Sequence, residues 1–216
     1  MSIIQVERKV LAKNDVVANV NREVFLENKN FVINLVSSPG SGKTSLVEQT
    51  IEKCKNDFSI CVIEGDVQTS LDAERIDKLG VPVANIVTNG GCHLDASLVS
   101  DAMQNLETEK ADLVIIENVG NLVCPAGYDL GEDMKVVFVS VTEGDDKPLK
   151  YPAMFRNASA LIINKIDLLP YLKCNIEELK KNALSINPDL KIFLTSCTTG
   201  KGIADWINWL KSNLKK

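Results

Sequence analysis

Seven short apolar runs, separated by helical patterns, constrain the fold of this chain more than any other feature. They are FVINLVS (31–37), SICVIE (59–64), VANIVT (83–88), DLVIIENV (112–119), KVVFVSVT (135–142), ALIINKI (160–166) and KIFLTS (191–196). Each is rich in β-branched residues, and most show little alternation. That pattern suits strands buried on both faces of a parallel sheet. SLDAERIDKL, LDASLVSDAMQNL and NIEELKKNALS, which lie between runs, have helical spacing. The expected fold class is α/β: an open, doubly wound, mostly parallel sheet of about seven strands with helices on both faces. Upstream, NDVVANVNREVFLENK predicts an N-terminal helix over about residues 14–29, capped by Asn14 or Asp15, with Val17, Val20, Val24 and Phe25 on one face. Near the end, GIADWINWLKSNL puts Trp206 and Trp209 on one helix face, which suits packing on the sheet. With no repeat or long linker, residues 1–216 read as a single domain.

Composition narrows the function classes. The 24 basic and 29 acidic residues give a net charge of −5, so no overall field attracts nucleic acid or an anionic membrane. Runs such as LVII are far too short to span a bilayer, and MSIIQVERKV shows no basic leader before an apolar stretch. The expected location is the cytoplasm. There the six cysteines read as reduced thiols, with Cys61 in an apolar strand as core packing.

The first run leads straight into SSPGSGKTSLVEQ, the pattern of a P-loop between strand and helix. Such a loop wraps phosphate oxygens with backbone N–H groups, places a lysine on the β/γ-phosphates and gives a hydroxyl to Mg²⁺. Gly40, Ser41, Gly42, Lys43, Thr44 and Ser45 supply these parts, and the helix that follows points its positive end at the phosphates. The full pattern asks for glycine at position 37, where this chain has Ser37. A second signal is NKID, Asn164 to Asp167, at the end of the sixth run. A carboxylate there accepts from the N1–H and 2-amino groups of guanine, a donor pair that adenine lacks, so Asp167 selects GTP. The stem of Lys165 covers the base face. Ser196 and Cys197, in the TSC that closes the last run, are placed to offer N–H groups to the guanine O6. Asp66 and Glu117 follow strand-like runs and are expected to hold Mg²⁺ or orient the attacking water. Lys147 and Lys150, in TEGDDKPLKYP, suit either phosphate or partner contacts, or a solvated loop.

One stretch, NGGCHLDASLV, sets Cys92 beside His93, the single histidine of the chain. Thiolate plus imidazole suits Zn²⁺ or Ni²⁺ rather than Mg²⁺. The position before a helix start favours the Cys92 thiolate. A Cys–His nucleophile is less apt, because adjacent residues rarely orient for proton transfer. Packing of Cys92 with a solvated His93 stays open on spacing alone.

Taken in order, SSPGSGKT, EGD, GGCHLDA, IENVGNLVCP, VTEGDDKPLKYP and NKID resemble the HypB family, the nickel-insertion GTPases of [NiFe]-hydrogenase maturation. The resemblance runs from about Asn14 onward. It implies a dimerising P-loop GTPase of the signal-recognition-like branch, with Glu117 and Gly120 as its ExxG motif. Ser38 stands where the related ATPases have an extra lysine. The family also implies a metal site of a Cys–His pair and a later cysteine, here Cys92, His93 and Cys124. Three ligands are one short of a closed tetrahedral zinc site, so either a position stays open or two subunits share the metal. The nickel-rich N-terminal motifs of some members have no counterpart here: the first cysteine is Cys54. The implied partners are a second copy of the chain, another maturation factor and a hydrogenase large-subunit precursor. A urease-type nickel GTPase is an alternative, though its usual Cys-Pro-His is missing. A binding module without useful hydrolysis is another.

Overall fold

The computed structural model describes residues 6–214, with side chains from residue 11 onward. In chain order the regular elements are α1 (Val6–Glu27), β1 (Phe31–Ser37), α2 (Lys43–Cys54), β2 (Ile60–Asp66), α3 (Leu71–Asp77), β3 (Val83–Val87), α4 (Ala96–Met103), β4 (Leu113–Glu117), β5 (Met134–Ser140), α5 (Lys147–Lys150), α6 (Pro152–Arg156), β6 (Ala160–Asn164), α7 (Ile176–Ile186), β7 (Lys191–Leu194) and α8 (Ile203–Leu214). All seven strands are parallel, in the order β3-β2-β4-β1-β5-β6-β7. The expected doubly wound sheet is therefore present. Because every strand runs the same way, β1, β2, β4 and β6 all deliver their C-terminal ends to one edge, where open α/β sheets bind ligands.

β1 alternates its contacts. Ile33 and Leu35 face a core shared with α2, α3 and α8, which includes the fully buried Trp206. Val32 belongs to the opposite face under α1 and α4, and Val36 to the cluster under α6 and α7. Burying each such side chain contributes about 1.5–3 kcal/mol. Uniform burial holds for the five inner strands; the edge strands β3 and β7 are only partly covered.

The N-terminal helix differs from the expected 14–29. It spans Val6–Glu27, so Asn14 and Asp15 lie inside it rather than capping it. Of the expected face only Phe25 is buried: Val20 is 52% exposed, Val17 and Val24 are half-buried, and Asn14, Ala18 and Asn21 join Phe25 in the core face. This buried face is half polar because it meets backbone. Asn14 donates to Asp129 O at 2.8 Å and accepts from Ala96 N at 2.9 Å. Asn21 donates to Ala96 O and Leu130 O. Two asparagines thus staple the start of α4 to the segment before β5. Gly131 completes the fit, since its φ is +95° and a Cβ would lie 2.9 Å from Ala18 O. The fifth run also ends early, at Ser140, where a capping box with Glu143 starts a short 3₁₀ turn.

Candidate nucleotide cleft and metal site

The chain leaves β1 at Ser37 and enters α2 at Lys43 through a loop whose last residue, Gly42, has a left-handed φ of 102°. A Cβ at Gly42 would lie 2.6 Å from Asn164 Nδ2, so only glycine lets the loop pass this close to the NKID segment. Lys43 Nζ donates to Ser37 Oγ at 2.8 Å and stands 4.0 Å from Glu117 Oε1. The serine that departs from the usual glycine therefore supplies the lysine with an acceptor. Thr44 Oγ1 donates to Glu117 Oε1 at 2.8 Å. Ser41 Oγ donates to Ser38 O, and Ser45 Oγ accepts from Arg75. Ser41, Gly42, Lys43, Thr44, Ser45, Arg75 and Glu117 line a cleft of about 490 Å³ together with Glu64, Asp66, Asp72, Asn118 and Lys165.

Glu64 was not legible as a site residue. It pairs in register with Glu117 across β2 and β4, and both side chains are buried with one unpartnered oxygen each. Burial, then the Glu117 charge, pushes the Glu64 carboxyl well up. Burial also raises Glu117, against Lys43 and Thr44. Lys43 and Thr44 favour charge on Glu117, and that charge in turn favours the protonated form of Glu64. Asp66 lies beside them but is turned into its own loop. It accepts from Gln68 N, Thr69 N and Thr69 Oγ1. Burial pushes its carboxyl up, and these hydrogen bonds more than offset that, leaving it lowered.

The NKID segment is bound directly to the P-loop. Asn164 Nδ2 donates to Ser41 O at 3.1 Å, and Lys165, in a left-handed conformation at φ 61°, donates to Gly40 O at 2.7 Å. Asp167 Oδ1 is buried without a hydrogen-bond partner among the described residues, and such an atom is costly unless a ligand satisfies it. The N–H groups expected to meet guanine have internal partners: Ser196 N donates to Lys201 O, and Cys197 N to Asn164 Oδ1. Lys147 and Lys150 pair with Glu143 and Asp146 on their own turn, and Lys147 sits 5.5 Å from the Tyr151 ring centre.

The Cys–His pair lies in the loop between β3 and α4. Cys92 Sγ is 3.5 Å from His93 Nδ1, and one ligand atom each from Cys92, His93 and Cys124 lie within 4.8 Å of one another. All three are half-buried. Cys124 reaches them from the short turn Cys124–Gly127, held by Asn121 Oδ1, which accepts from Val123 N and Cys124 N. The Tyr128 ring packs on His93 with centroids 4.0 Å apart. One expectation is reversed. The N-terminus of α4 is taken by the Asp95 carboxylate, which accepts from Leu98 N, so the helix end does not serve Cys92. A hydrogen bond with Cys124, then burial, raises the Cys92 thiol instead. Burial lowers His93, leaving a neutral imidazole at pH 7, the form that ligates metal. Asn118 and Lys135 also gave no sequence signal. Asn118 Oδ1 accepts from Leu94 N at 3.0 Å, and Lys135 Nζ donates to Pro125 O and Tyr128 O.

Residues 31–194 match the family model described as CobW/HypB/UreG, nucleotide-binding domain. The hydrogenase maturation factor HypB of Escherichia coli K12 is 50% identical over 210 residues, covering 97% of this chain and 72% of that protein. The hydrogenase/urease maturation factor HypB of Helicobacter pylori J99 is 44% identical, covering 96% of this chain and 86% of that protein. A crystal structure of HypB from Helicobacter pylori in complex with nickel superposes with a TM-score of 0.90 at 43% identity, covering 94% of this chain and 95% of that one. P-loop, paired strand-end acids, NKID and the Cys/His/Cys trio thus occur together on a sheet that these relatives share, and the chain belongs to the HypB family.

Proposed function

We propose that this chain is a Mg²⁺-dependent GTPase that handles nickel during assembly of a [NiFe]-hydrogenase, acting as metallochaperone or regulator. The observation that carries the reading is the meeting of Cys92, His93 and Cys124 within 4.8 Å, on loops that adjoin the strand ends of the nucleotide cleft. Two thiols and a neutral imidazole suit Ni²⁺ or Zn²⁺ as cargo. The unpartnered Asp167 oxygen supports guanine as the base. Thr44 and the free oxygen of buried Glu117 are hard donors that fit Mg²⁺, which when bound supplies charge neutralisation at the phosphates. Lys43 exchanges Ser37 for phosphate, and the loop N–H groups orient the chain of oxygens. Glu117 positions water, and Asp66 shapes the cleft wall and approaches only if its turn opens. Gly40, Ser41, Gly42, Ser45, Asn164, Lys165, Ser196 and Cys197 complete nucleotide binding. Among the described residues no glutamine lines the cleft to position water, so turnover should be slow.

The three-ligand set leaves a coordination position for water or for a second copy of the chain. Another maturation factor and a hydrogenase precursor are the protein partners, in the cytoplasm; among the described residues no helix is long and apolar enough to cross a membrane. A role toward urease is a second reading, favoured by the Helicobacter pylori relative, a hydrogenase/urease maturation factor.

The metal reading is tested by metal content of the purified protein with Cys92, His93 and Cys124 replaced in turn. Each replacement should lower bound nickel or zinc; full occupancy in all three would remove the site. Single-turnover GTP hydrolysis with Glu117→Ala tests the enzyme reading. A loss of about 100-fold or more is expected, the size seen when one preorganised polar group is removed. Unchanged and negligible turnover in both proteins would make the chain a binding switch. Nickel affinity should differ between the GDP-bound protein and the protein holding a non-hydrolysable GTP analogue, since linkage is reciprocal.

A further inference from the structure

Asn34 lies in the middle of β1 and is wholly buried, between Val32, which packs under α1 and α4, and Val36, which packs under α6 and α7. An asparagine there costs more than a valine unless its amide is fully partnered. It is partnered on both sides. Its Oδ1 accepts from Asn118 Nδ2 at 3.3 Å, and its Nδ2 donates to Glu132 Oε1 at 3.0 Å. Glu132 continues to Lys135, 3.5 Å away, with both side chains more than nine-tenths buried.

The two ends of this chain of side chains arrive at the two halves of the metal site. At one end, Asn118 Oδ1 holds the N–H of Leu94, the residue after His93. At the other, Lys135 Nζ holds the carbonyls of Pro125 at 3.2 Å, next to Cys124, and Tyr128 at 2.9 Å, whose ring packs on His93. The nucleotide cleft enters at Asn118, which directly follows Glu117 and whose backbone N–H is bonded to Leu35 O in the strand that feeds the P-loop. Leu94 has a second tie to the cleft. It packs so closely on Gly65 that a Cβ there would lie 2.8 Å from its side chain, and Gly65 sits between Glu64 and Asp66.

We propose that Asn118, Asn34, Glu132 and Lys135 form a buried positioning relay that sets the spacing of the Cys92–His93 loop and the Cys124 turn according to nucleotide state. This rests on the reading that nucleotide and metal binding are coupled. When Glu117 exchanges its bond to Thr44 for the liganded arrangement, Asn118 moves with it. A shift of Asn118 changes its hold on Leu94 N–H and on Asn34. A fully bonded buried amide cannot absorb that shift without passing it to Glu132 and Lys135. The asparagines of α1 hold the same two segments from below and do not touch the cleft, so they set a resting geometry that the relay perturbs.

The test is competition titration of Ni²⁺ and of Zn²⁺ against a chromophoric chelator. It uses the full chain holding GDP or a non-hydrolysable GTP analogue, as wild type, Asn34→Leu and the double variant Glu132→Gln/Lys135→Met. Neither variant touches the cleft, and the double variant leaves no buried unpaired charge if Asn34→Leu fails to fold. The wild type should show a GDP-to-GTP-analogue affinity ratio of about 5-fold or more, the usual size of a coupling. In the variants it should fall to within about 2-fold, with GTP-analogue affinity retained, as expected once the coupled element is cut. A merely structural role lowers the melting temperature of the variants and leaves the ratio alone. A wild-type ratio that persists in a folded variant overturns the relay. A wild-type ratio of one overturns the coupling reading itself, and the relay with it.

Discussion

The nucleotide cleft and the metal trio sit at the same end of one sheet, but they are held in different ways. The cleft is made by residues on or directly after strands: Ser37 and Lys43 flank the P-loop, Glu64 and Glu117 pair across β2 and β4, and Asn164 ends β6. Its contacts are short and mutual, as between Gly42 and Asn164 or Lys165 and Gly40. The candidate ligands Cys92, His93 and Cys124 ride on two loops, half-buried, and those loops are positioned by asparagine and lysine side chains reaching from other elements. A rigid cleft preorganises one phosphate geometry. Loops held by a few hydrogen bonds can take two spacings, which suits a metal that must be released again.

This contrast can be broken, from the largest expected effect to the smallest. Asp167→Ala should erase most of the preference for GTP over ATP. A site built to bond a donor pair rejects a ligand lacking it by about 10⁴-fold, and binding competition between the two nucleotides reads the loss. Preserved preference would move base selection elsewhere. Cys92→Ser should weaken nickel or zinc by more than the roughly 10- to 100-fold typical of outer-shell changes, while GTP affinity measured without metal stays put. If GTP affinity fell equally, the two regions would not be separable.

A smaller effect is pH dependence of metal binding. The Cys92 thiol is raised by its bond to Cys124 and by burial, so it holds its proton at neutral pH; His93, lowered by burial, has already lost its own. Metal must displace the thiol proton, so affinity should rise with pH between 6 and 8 by up to about tenfold per unit for each proton released. The imidazole should add little to that slope, and a falling or flat profile in a chelator titration would contradict the assignment. Smallest is Asn14→Ala. It leaves Ala96 N and Asp129 O without their side-chain partner, at about 1–3 kcal/mol, read as a lower melting temperature. Nucleotide affinity should not change, because α1 does not line the cleft.

Much of this was legible in the sequence because the relevant signals are local. Inner parallel strands are buried on both faces, so they appear as unbroken β-branched runs. The P-loop and NKID patterns are contiguous in sequence, so each is visible in a window of a few residues. What escaped was polar and non-local. The buried face of α1 follows asparagines, since it bonds to backbone rather than to apolar side chains, and so hydrophobic spacing pointed to Val20 instead. Glu64 ends its run as Glu117 does, but their pairing needs β2 and β4 to be neighbours. The Cys92 thiol was expected to be lowered by a helix that Asp95 in fact caps.

The sequence by itself determined the strand count and the phosphate loop and offered Asp167 as a candidate base-selecting carboxylate, whereas Cys124 joined Cys92 and His93 as a candidate ligand only through the resemblance to the HypB family. The strands and the loop follow from patterns over a few residues. Only the tertiary structure decided that Cys124 meets Cys92 and His93, that buried Glu64 stands beside Glu117, and that Asn34 is bonded between Asn118 and Glu132. Those facts depend on strand order and on side chains distant in sequence meeting in a buried space, where each polar atom must find a partner.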